Sequence, residues 1–306
     1  MSNDRNITHK RSVLMSHLGA LLVVIMWGVA FISTKVLLEH GFRPAEIYIY
    51  RFILAYLLVL TICHKRLWSN SLRDEVLFIV CGLCAGSIYF IAENTAIEYT
   101  LVSNVSLITS ISPLITTFLL ALIYKNERPG RGTYIGSIIA FLGVACVIFN
   151  SSFVVKMNPL GDLLSLSAAI SWSVYSIVLR KLNATYSTMF ITRKTFFYGV
   201  ITAIPYMLTE PQITPFSNLL DLEVILHLSF LGIVASMLAY VLWAISVKQL
   251  GAIQASNYMY ITPIVTLIAS VILLNEHITW IGYTGCALIL GGMWLGDTLS
   301  RKEAKL

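Results

Sequence analysis

Long apolar runs follow one another along this chain from residue 16 to residue 297 and leave few architectures open. A spanning helix needs about 20 mostly apolar residues, and a backbone in lipid must satisfy its own hydrogen bonds. The runs are continuous, whereas the strands of a membrane β-barrel would alternate in polarity. The sequence therefore predicts an all-α integral membrane protein with ten transmembrane helices, at residues 16–38, 46–64, 75–97, 101–124, 132–150, 161–182, 187–208, 223–248, 252–274 and 278–297.

The composition agrees with a surface that faces lipid. Apolar residues make up 57% of the chain and charged residues 12%, whereas a soluble domain has roughly 25% charged residues. The net charge of +6 does not indicate a nucleic-acid partner, because the charges lie between the apolar runs and not on one continuous face. We expect no soluble domain.

The distribution of Lys and Arg predicts the orientation, because cytoplasmic loops of membrane proteins are enriched in these residues. With the amino terminus in the cytoplasm, the outside holds only Arg43, Lys156 and, at a helix end, Lys35. An even number of spans then places both termini in the cytoplasm, and we expect the protein in the plasma (cell inner) membrane. The fifteen basic residues on the cytoplasmic side are Arg5, Lys10, Arg11, Lys65, Arg66, Arg73, Lys125, Arg128, Arg131, Arg180, Lys181, Lys248, Arg301, Lys302 and Lys305.

The chain also repeats itself. Trp27 and Trp172 begin similar segments 145 residues apart, and Arg51 corresponds to Arg193 at a distance of 142 residues. The shared order indicates two copies of a five-helix unit, at residues 16–150 and 161–297. The further matches, 149 or 150 residues apart, are Gly82 with Gly232, Ser106 with Ser256, Pro113 with Pro263, Glu127 with Glu276, Gly136 with Gly285, and Gly143 with Gly292.

An odd number of helices per unit determines how the second copy is inserted. After five spans the chain is on the other side of the membrane, so the second copy must run in the opposite sense. Such inverted repeats are typical of transporters, in which two mirrored packings open to opposite sides. Duplication for structural reasons alone is the alternative interpretation.

These residues resemble the EamA domain of the drug/metabolite transporter superfamily. The resemblance rests on the segment from Trp27 to Lys35, the Arg of the second run, the Pro of the fourth run, and the Glu…Gly…Gly pattern at residues 127–143, each with a counterpart in the second half. The copies differ where Ser173 replaces Gly28, so the halves are not expected to be equivalent in function. The resemblance covers nearly the whole chain and implies a ten-helix carrier, often an exporter of amino acids or related metabolites.

Charged residues inside the predicted spans indicate a solute site, because a charge near the bilayer centre costs roughly 2.5–3.5 kcal/mol and is therefore rare. Arg51 and Glu93 lie near the outer ends of the second and third spans. Two interpretations remain open: they contact a polar solute in an outer vestibule, or they form a structural ion pair between the helices. Glu93 is also the candidate carrier of a coupling proton, as a hypothesis.

Aromatic side chains extend the candidate site. Trp27 and Trp172 lie in the middle of their spans, and Trp243 stands where the inverted copy would match Glu93. Their rings could stack on a solute or hold a cation; packing in the bundle or, for Trp243, against lipid is the alternative. The candidate substrate-binding residues are Trp27, Arg51, Tyr89, Glu93, Asn104, Trp172, Tyr175, Trp243, Asn257 and Tyr260.

The fourth and ninth spans are unusually polar. The amides of Asn104 and Asn257 each need several hydrogen-bond partners, and Tyr260, three residues after Asn257, is expected on the same helix face. Pro113 and Pro263 free a backbone carbonyl in these spans and are candidate hinges, with a static bend as the alternative.

No pattern indicates an enzyme, a cofactor or a metal. Cys81 and Cys84 stand among small residues in the third span, where close helix packing explains them better than redox or zinc chemistry. A phosphate-binding glycine loop is missing from the sequence, so we expect energy from solute or ion gradients.

The function predicted from the sequence is secondary transport, with export of small polar metabolites such as amino acids by alternating access. The intramembrane charge is mostly basic and favours anionic or zwitterionic cargo. The expected partners are a small-molecule solute, the lipid bilayer and, through Glu93, protons, with no nucleic acid. A lipid flippase or another membrane protein on the same fold is the alternative.

Overall fold

In the computed structural model of the chain, the described residues are 2–99, 105, 108–124, 129–148, 158–209, 214–274 and 279–303. This part of the chain is helical and contains no β-strand. The π-helical segments are Leu83–Ser87 and Phe230–Leu238, and the 3-10 segments are Phe216–Leu220 and Tyr258–Ile261. The α-helices are α1 Ser2–Glu39, α2 Pro44–Ile62, α3 Leu72–Gly82, α4 Ile88–Tyr99, α5 Ser112–Ile123, α6 Arg131–Ile148, α7 Pro159–Asn183, α8 Thr188–Met207, α9 Leu222–Ser229, α10 Ala239–Leu250, α11 Ala252–Asn257, α12 Thr262–Leu274 and α13 Trp280–Glu303.

Five continuous helical stretches of the described chain are long and apolar enough to cross a bilayer, which supports an integral membrane protein. Two further apolar helices, Ser112–Ile123 and Arg131–Cys146, are shorter. The helical class agrees with the prediction from the sequence, whereas ten spans and the orientation of the termini stay predictions. The five long stretches are Ser12–Glu39, Pro44–Ile62, Leu72–Tyr99, Pro159–Asn183 and Leu222–Leu250.

The helices run between two ends of the bundle. At the His17 end, His17 of α1, Arg180 of α7 and Leu250 of α10 line one cavity. At the Lys35 end, Lys35 of α1 and Ile97 of α4 line a shallow pocket. Helix α1 therefore begins at the end where α7 and α10 finish.

Glycines bring α6 and α13 into backbone contact. A Cβ on Gly136 would lie 2.5 Å from the carbonyl oxygen of Gly292, and a Cβ on Gly143 would lie 2.7 Å from that of Gly285. Small residues allow this close approach of apolar helices, for which lipid supplies no hydrophobic drive. The four glycines that match between the two repeats thus form one helix contact.

The third helix of each repeat contains a π-helical segment. In the first repeat Leu83–Ser87 separates α3 from α4, and Gly86 within it has the non-helical angles φ −126° and ψ −108°. In the second repeat Phe230–Leu238 separates α9 from α10. A Cβ on Gly82 would meet the backbone nitrogen of Gly199 in α8 at 2.7 Å. Irregular turns of this kind are frequent at functional sites.

An ion pair fastens α3 to α8 near the His17 end. Lys194 pairs with Glu75, the Tyr198 hydroxyl donates to the same carboxylate, and the two side chains of the pair are 5% and 12% exposed. The guanidinium of Arg193 donates to the backbone carbonyls of Cys63 and Arg66. The connection between α2 and α3 is therefore held against the start of α8.

We predict that Lys194→Met lowers the free energy of unfolding by about 1–3 kcal/mol, because the partly buried Glu75 carboxylate loses its charged hydrogen-bond partner. The matched control is Lys35→Met, which breaks the exposed pair between Lys35 and Glu39 and should cost less than about 1 kcal/mol. Unfolding of the purified protein in mixed micelles measures both. Equal costs for the two variants would contradict the assignment.

Candidate functional site

A cavity in the Lys35 half of the bundle, here called the Arg51 cavity, brings together residues from both repeats. Its wall includes Trp27 and Thr34 of α1, Arg51 of α2, Glu93 of α4 and Trp172 of α7. Its volume is about 60 Å³, and a single water molecule needs roughly 10–15 Å³ of such space. The cavity thus has room for a few polar atoms.

Arg51 lies on this wall with a neutral hydrogen-bond partner. The side chain is 3% exposed, and its Nε donates to Ser236 Oγ in the second π-helical segment at 2.8 Å. The guanidinium stands 4.9 Å from the ring centre of Phe90, which favours the cation electrostatically. Ser236 is the hydrogen-bond partner of Arg51 among the described residues.

Glu93 lies on the same wall and is 6% exposed. Its Oε1 accepts the hydroxyl of Tyr89, one turn earlier on α4, at 2.7 Å. Within the described part of the chain no ion pair joins Glu93 to Arg51. The cavity wall therefore carries a basic and an acidic side chain that are each hydrogen-bonded to a neutral side chain and are not in ion-pair contact with each other.

Aromatic rings close the inner side of the cavity. The Trp27 ring lies 5.1 Å from that of Trp172 and 5.2 Å from that of Trp243, between ring centres. Trp172 also contacts Tyr89 at 5.2 Å and Tyr175 at 5.1 Å. These five residues, all predicted from the sequence, form one cluster. Trp243 is fully buried, so the alternative that it faces lipid is wrong.

Several buried polar atoms in this region have no hydrogen-bond partner among the described residues. They include the indole N–H groups of Trp172 and Trp243. Leaving such a group unsatisfied costs about 1–3 kcal/mol, and native proteins usually satisfy it with protein, water or a ligand. These groups could therefore donate hydrogen bonds to water or to a polar solute.

Asn257 and Tyr260 lie apart from this cluster. Tyr260 packs with Ala140 of α6 and Ile289 of α13, whereas Asn257 lines a separate cavity at the His17 end. Residues Tyr258–Ile261 form a 3-10 segment that follows α11 directly, and binding of one ligand by Asn257 and Tyr260 together stays a prediction. Asn104 lies outside the described residues.

The two candidate hinge prolines both stand at helix starts. Pro113 is in the first turn of α5, after residues 110 and 111 leave the helix. Pro263 is in the first turn of α12, after the 3-10 segment. Proline is well suited to a first turn, where its missing N–H would lack a partner anyway. The fourth predicted span of each repeat is thus interrupted just before its proline. Hinge motion at these positions stays a prediction.

Sequence reasoning missed Ser236 and Thr34 at the Arg51 cavity. Ser236 stands in a run of small and apolar residues from Gly232 to Leu238, which gives no signal of a polar site. Only the contact of the second π-helical segment with α2 brings it to Arg51. Thr34 is one hydroxyl residue in an apolar span, where packing between helices is the usual role of such a residue.

The chain belongs to the EamA-like transporter family, whose sequence profile matches it twice, over residues 14–149 and 159–295. An uncharacterized transporter of Archaeoglobus fulgidus is 25% identical over 284 residues, which cover 92% of this chain and 96% of the relative. A protein of Escherichia coli named "probable amino-acid metabolite efflux pump" is 24% identical and covers 90% of this chain and 92% of its own. A solved crystal structure shares the fold with a TM-score of 0.75 at 19% identity, covering 96% of this chain and 98% of that one.

We predict that Ser236→Ala destabilises the protein by about 1–3 kcal/mol, because the buried Arg51 guanidinium loses its partner. In the variant Arg51→Met the same Ser236→Ala change should cost less, with a coupling of about 0.5–3 kcal/mol in a double-mutant cycle. Ser217→Ala, which removes an exposed hydroxyl bonded to Asn218, is the control. Strictly additive costs would show that the contact contributes nothing.

Proposed function

We propose that this member of the transporter family is a secondary transporter that exports small zwitterionic metabolites of the amino-acid type by alternating access. The observation that carries the proposal is the pair of opposite, separately held charges of Arg51 and Glu93 on the wall of one cavity. An α-amino acid has the complementary charges on adjacent atoms.

The two charges suit the two ends of such a solute. A guanidinium binds a carboxylate through two parallel N–H donors, and Arg51 uses its Nε for Ser236, which leaves its terminal nitrogens for a solute. The second oxygen of Glu93 is available for an ammonium group, since Tyr89 occupies Oε1. The volume of about 60 Å³ accommodates roughly four to six water-sized groups, comparable with the ammonium, α-carbon and carboxylate together.

The arrangement of the cavities supports alternating access. A second cavity lies at the His17 end, whereas the Arg51 cavity lies in the Lys35 half of the bundle. The opposite directions of α1 and α7 fit inverted repeats, which produce two mirrored states of similar energy. The excess of Lys and Arg near the His17 end favours a cytoplasmic location for that end and for both termini, in the plasma membrane.

The relatives support the cargo class and the direction. The Escherichia coli protein and a Salmonella typhimurium protein 25% identical to this chain are both named as amino-acid metabolite efflux pumps, and other relatives of similar identity are named simply as transporters. Opposite charges on the cavity wall favour a zwitterion over a lipid tail, because an apolar tail would leave both charges without a partner.

In proteoliposomes, we predict that Arg51→Gln raises the concentration of amino acid needed for half-maximal counterflow about tenfold or more, because a charge-assisted hydrogen bond is lost. Lys35→Gln, at an exposed position on the same helix bundle, should leave it unchanged. All proteinogenic L-amino acids are tested in turn. Binding of quaternary-ammonium drugs without any amino acid transport, or scrambling of fluorescent lipids, would overturn the proposal.

A separate prediction concerns protons. If Glu93 carries the coupling proton, vesicles with Glu93→Gln should lose the acceleration of amino acid flux by an imposed pH gradient, because an amide cannot exchange the proton. Glu39→Gln, which removes an exposed carboxylate, is the matched control. A full response to the gradient in the Glu93→Gln vesicles would remove proton coupling from this residue and leave the cargo assignment standing.

A further inference from the structure

The second cavity, here called the Asn257 cavity, is the larger of the two. It lies at the His17 end between α1, α7, α11 and α13 and has a volume of about 540 Å³. Its wall includes a cation, a carboxylate, an amide, a phenol and an imidazole, supplied by Arg180, Asp297, Asn257, Tyr258 and His17. Such a polar mixture on the wall of a concave site is more than helix packing requires.

Asn257 is the polar group of this wall that most needs a ligand. Its Oδ1 is buried and has no hydrogen-bond partner among the described residues. An amide carries both an acceptor and two donors, so it can bind an ammonium group or a carboxylate, whichever way it is turned. Its neighbour Tyr258 is already engaged, since its hydroxyl lies 2.7 Å from Nδ1 of His17.

Two opposite charges stand on the same wall. Arg180, near the end of α7, and Asp297 of α13 both line the cavity. The guanidinium of Arg180 lies 4.7 Å from the ring centre of Tyr124, which favours the cation electrostatically. Both charged groups also interact with other parts of the protein, and a zwitterion can join such a network without leaving a charge unpaired.

The broken ninth span contributes residues to both cavities. Asn257 and Tyr258 line the Asn257 cavity, whereas Met259 and Thr262, a few residues further, line the Arg51 cavity. The buried hydroxyl of Ser256 next to them lacks a partner in the described chain. One short irregular segment therefore lies between the two cavities.

We propose that the Asn257 cavity is a second solute-binding site, which takes a zwitterionic amino acid from the His17 side. Arg180 binds the carboxylate, and Asn257 with Asp297 binds the ammonium group. The solute then moves past residues 256–262 to the Arg51 cavity. This inference rests on the proposed function for its cargo class, but it concerns different residues at the opposite end of the bundle.

Protection of an introduced thiol from alkylation tests the site without measuring transport. Leu250→Cys places a reporter on the wall of the Asn257 cavity, and Ile97→Cys places one on the wall of the Arg51 cavity. The full chain in proteoliposomes is treated with N-ethylmaleimide, with each L-amino acid in turn, and modification of the reporter peptide is followed by mass spectrometry. At ten times the dissociation constant, an occupied site should slow alkylation about tenfold.

Substitution of the binding groups identifies the source of any protection. Asn257→Leu or Arg180→Gln should raise the amino acid concentration for half-protection at Leu250→Cys about tenfold or more, with an unchanged thermal unfolding midpoint of the purified variant as proof of folding. Asn218→Leu, a partly exposed amide outside both cavities, is the matched control. Two variants are used so that the failure of one to fold does not decide the result.

Each outcome decides the question. Protection at Leu250→Cys that both substitutions weaken supports the site, even if Ile97→Cys is not protected and the proposed Arg51 site falls. Protection only at Ile97→Cys overturns the second site and leaves the proposed function intact. Protection at Leu250→Cys that neither substitution changes also overturns it, because the effect would come from a conformational change. No protection at either position by any amino acid overturns both proposals.

Discussion

Charged side chains inside an apolar helix bundle each need a compensating partner, because lipid and hydrocarbon side chains offer none. The protein meets this need differently near the His17 end of the bundle and in its Lys35 half. Near the His17 end, Lys194 forms an ion pair with Glu75, and Arg193 donates hydrogen bonds to backbone carbonyls. These charges stabilise the contacts of α8 with α3 and with the connection between α2 and α3. Arg51 and Glu93 instead each have a neutral hydrogen-bond partner. The need of buried charges for a partner thus produces an ion pair between helices at one place and a cavity with charged residues on its wall at another.

Irregular helix geometry makes the polar cavity possible. The π-helical segment of the second repeat carries Ser236 to Arg51, and the interruptions before Pro113 and Pro263 place polar residues of the fourth and ninth spans beside the aromatic cluster. A regular helix would bury its backbone groups completely, whereas an irregular one exposes polar groups to a cavity, which is tolerated at membrane depth only inside the protein. Repetition of these irregularities in both units ties them to the shared fold.

The helices were predictable because apolar length is a local property of the sequence. The runs predicted at 187–208 and 252–274 correspond to Thr188–Met207 and to the region Ala252–Leu274, although the latter is split into three pieces. The cluster of Trp27, Trp172 and Trp243 was predicted as three candidates, but not as mutual contacts. The 3-10 segment Tyr258–Ile261 was missed, because a short 3-10 segment within an apolar run leaves no trace in hydropathy.

The sequence by itself determined the class of the protein, its two-fold repetition and the small set of charges that need explanation inside the membrane, because hydropathy, repeat spacing and residue type are all readable without coordinates. Only the tertiary structure decided that Arg51 and Glu93 share a cavity without pairing, that Ser236 holds Arg51, and that a second polar cavity lies around Asn257. These depend on distances between residues more than 40 positions apart in the chain, and the crossing of packed helices sets such distances.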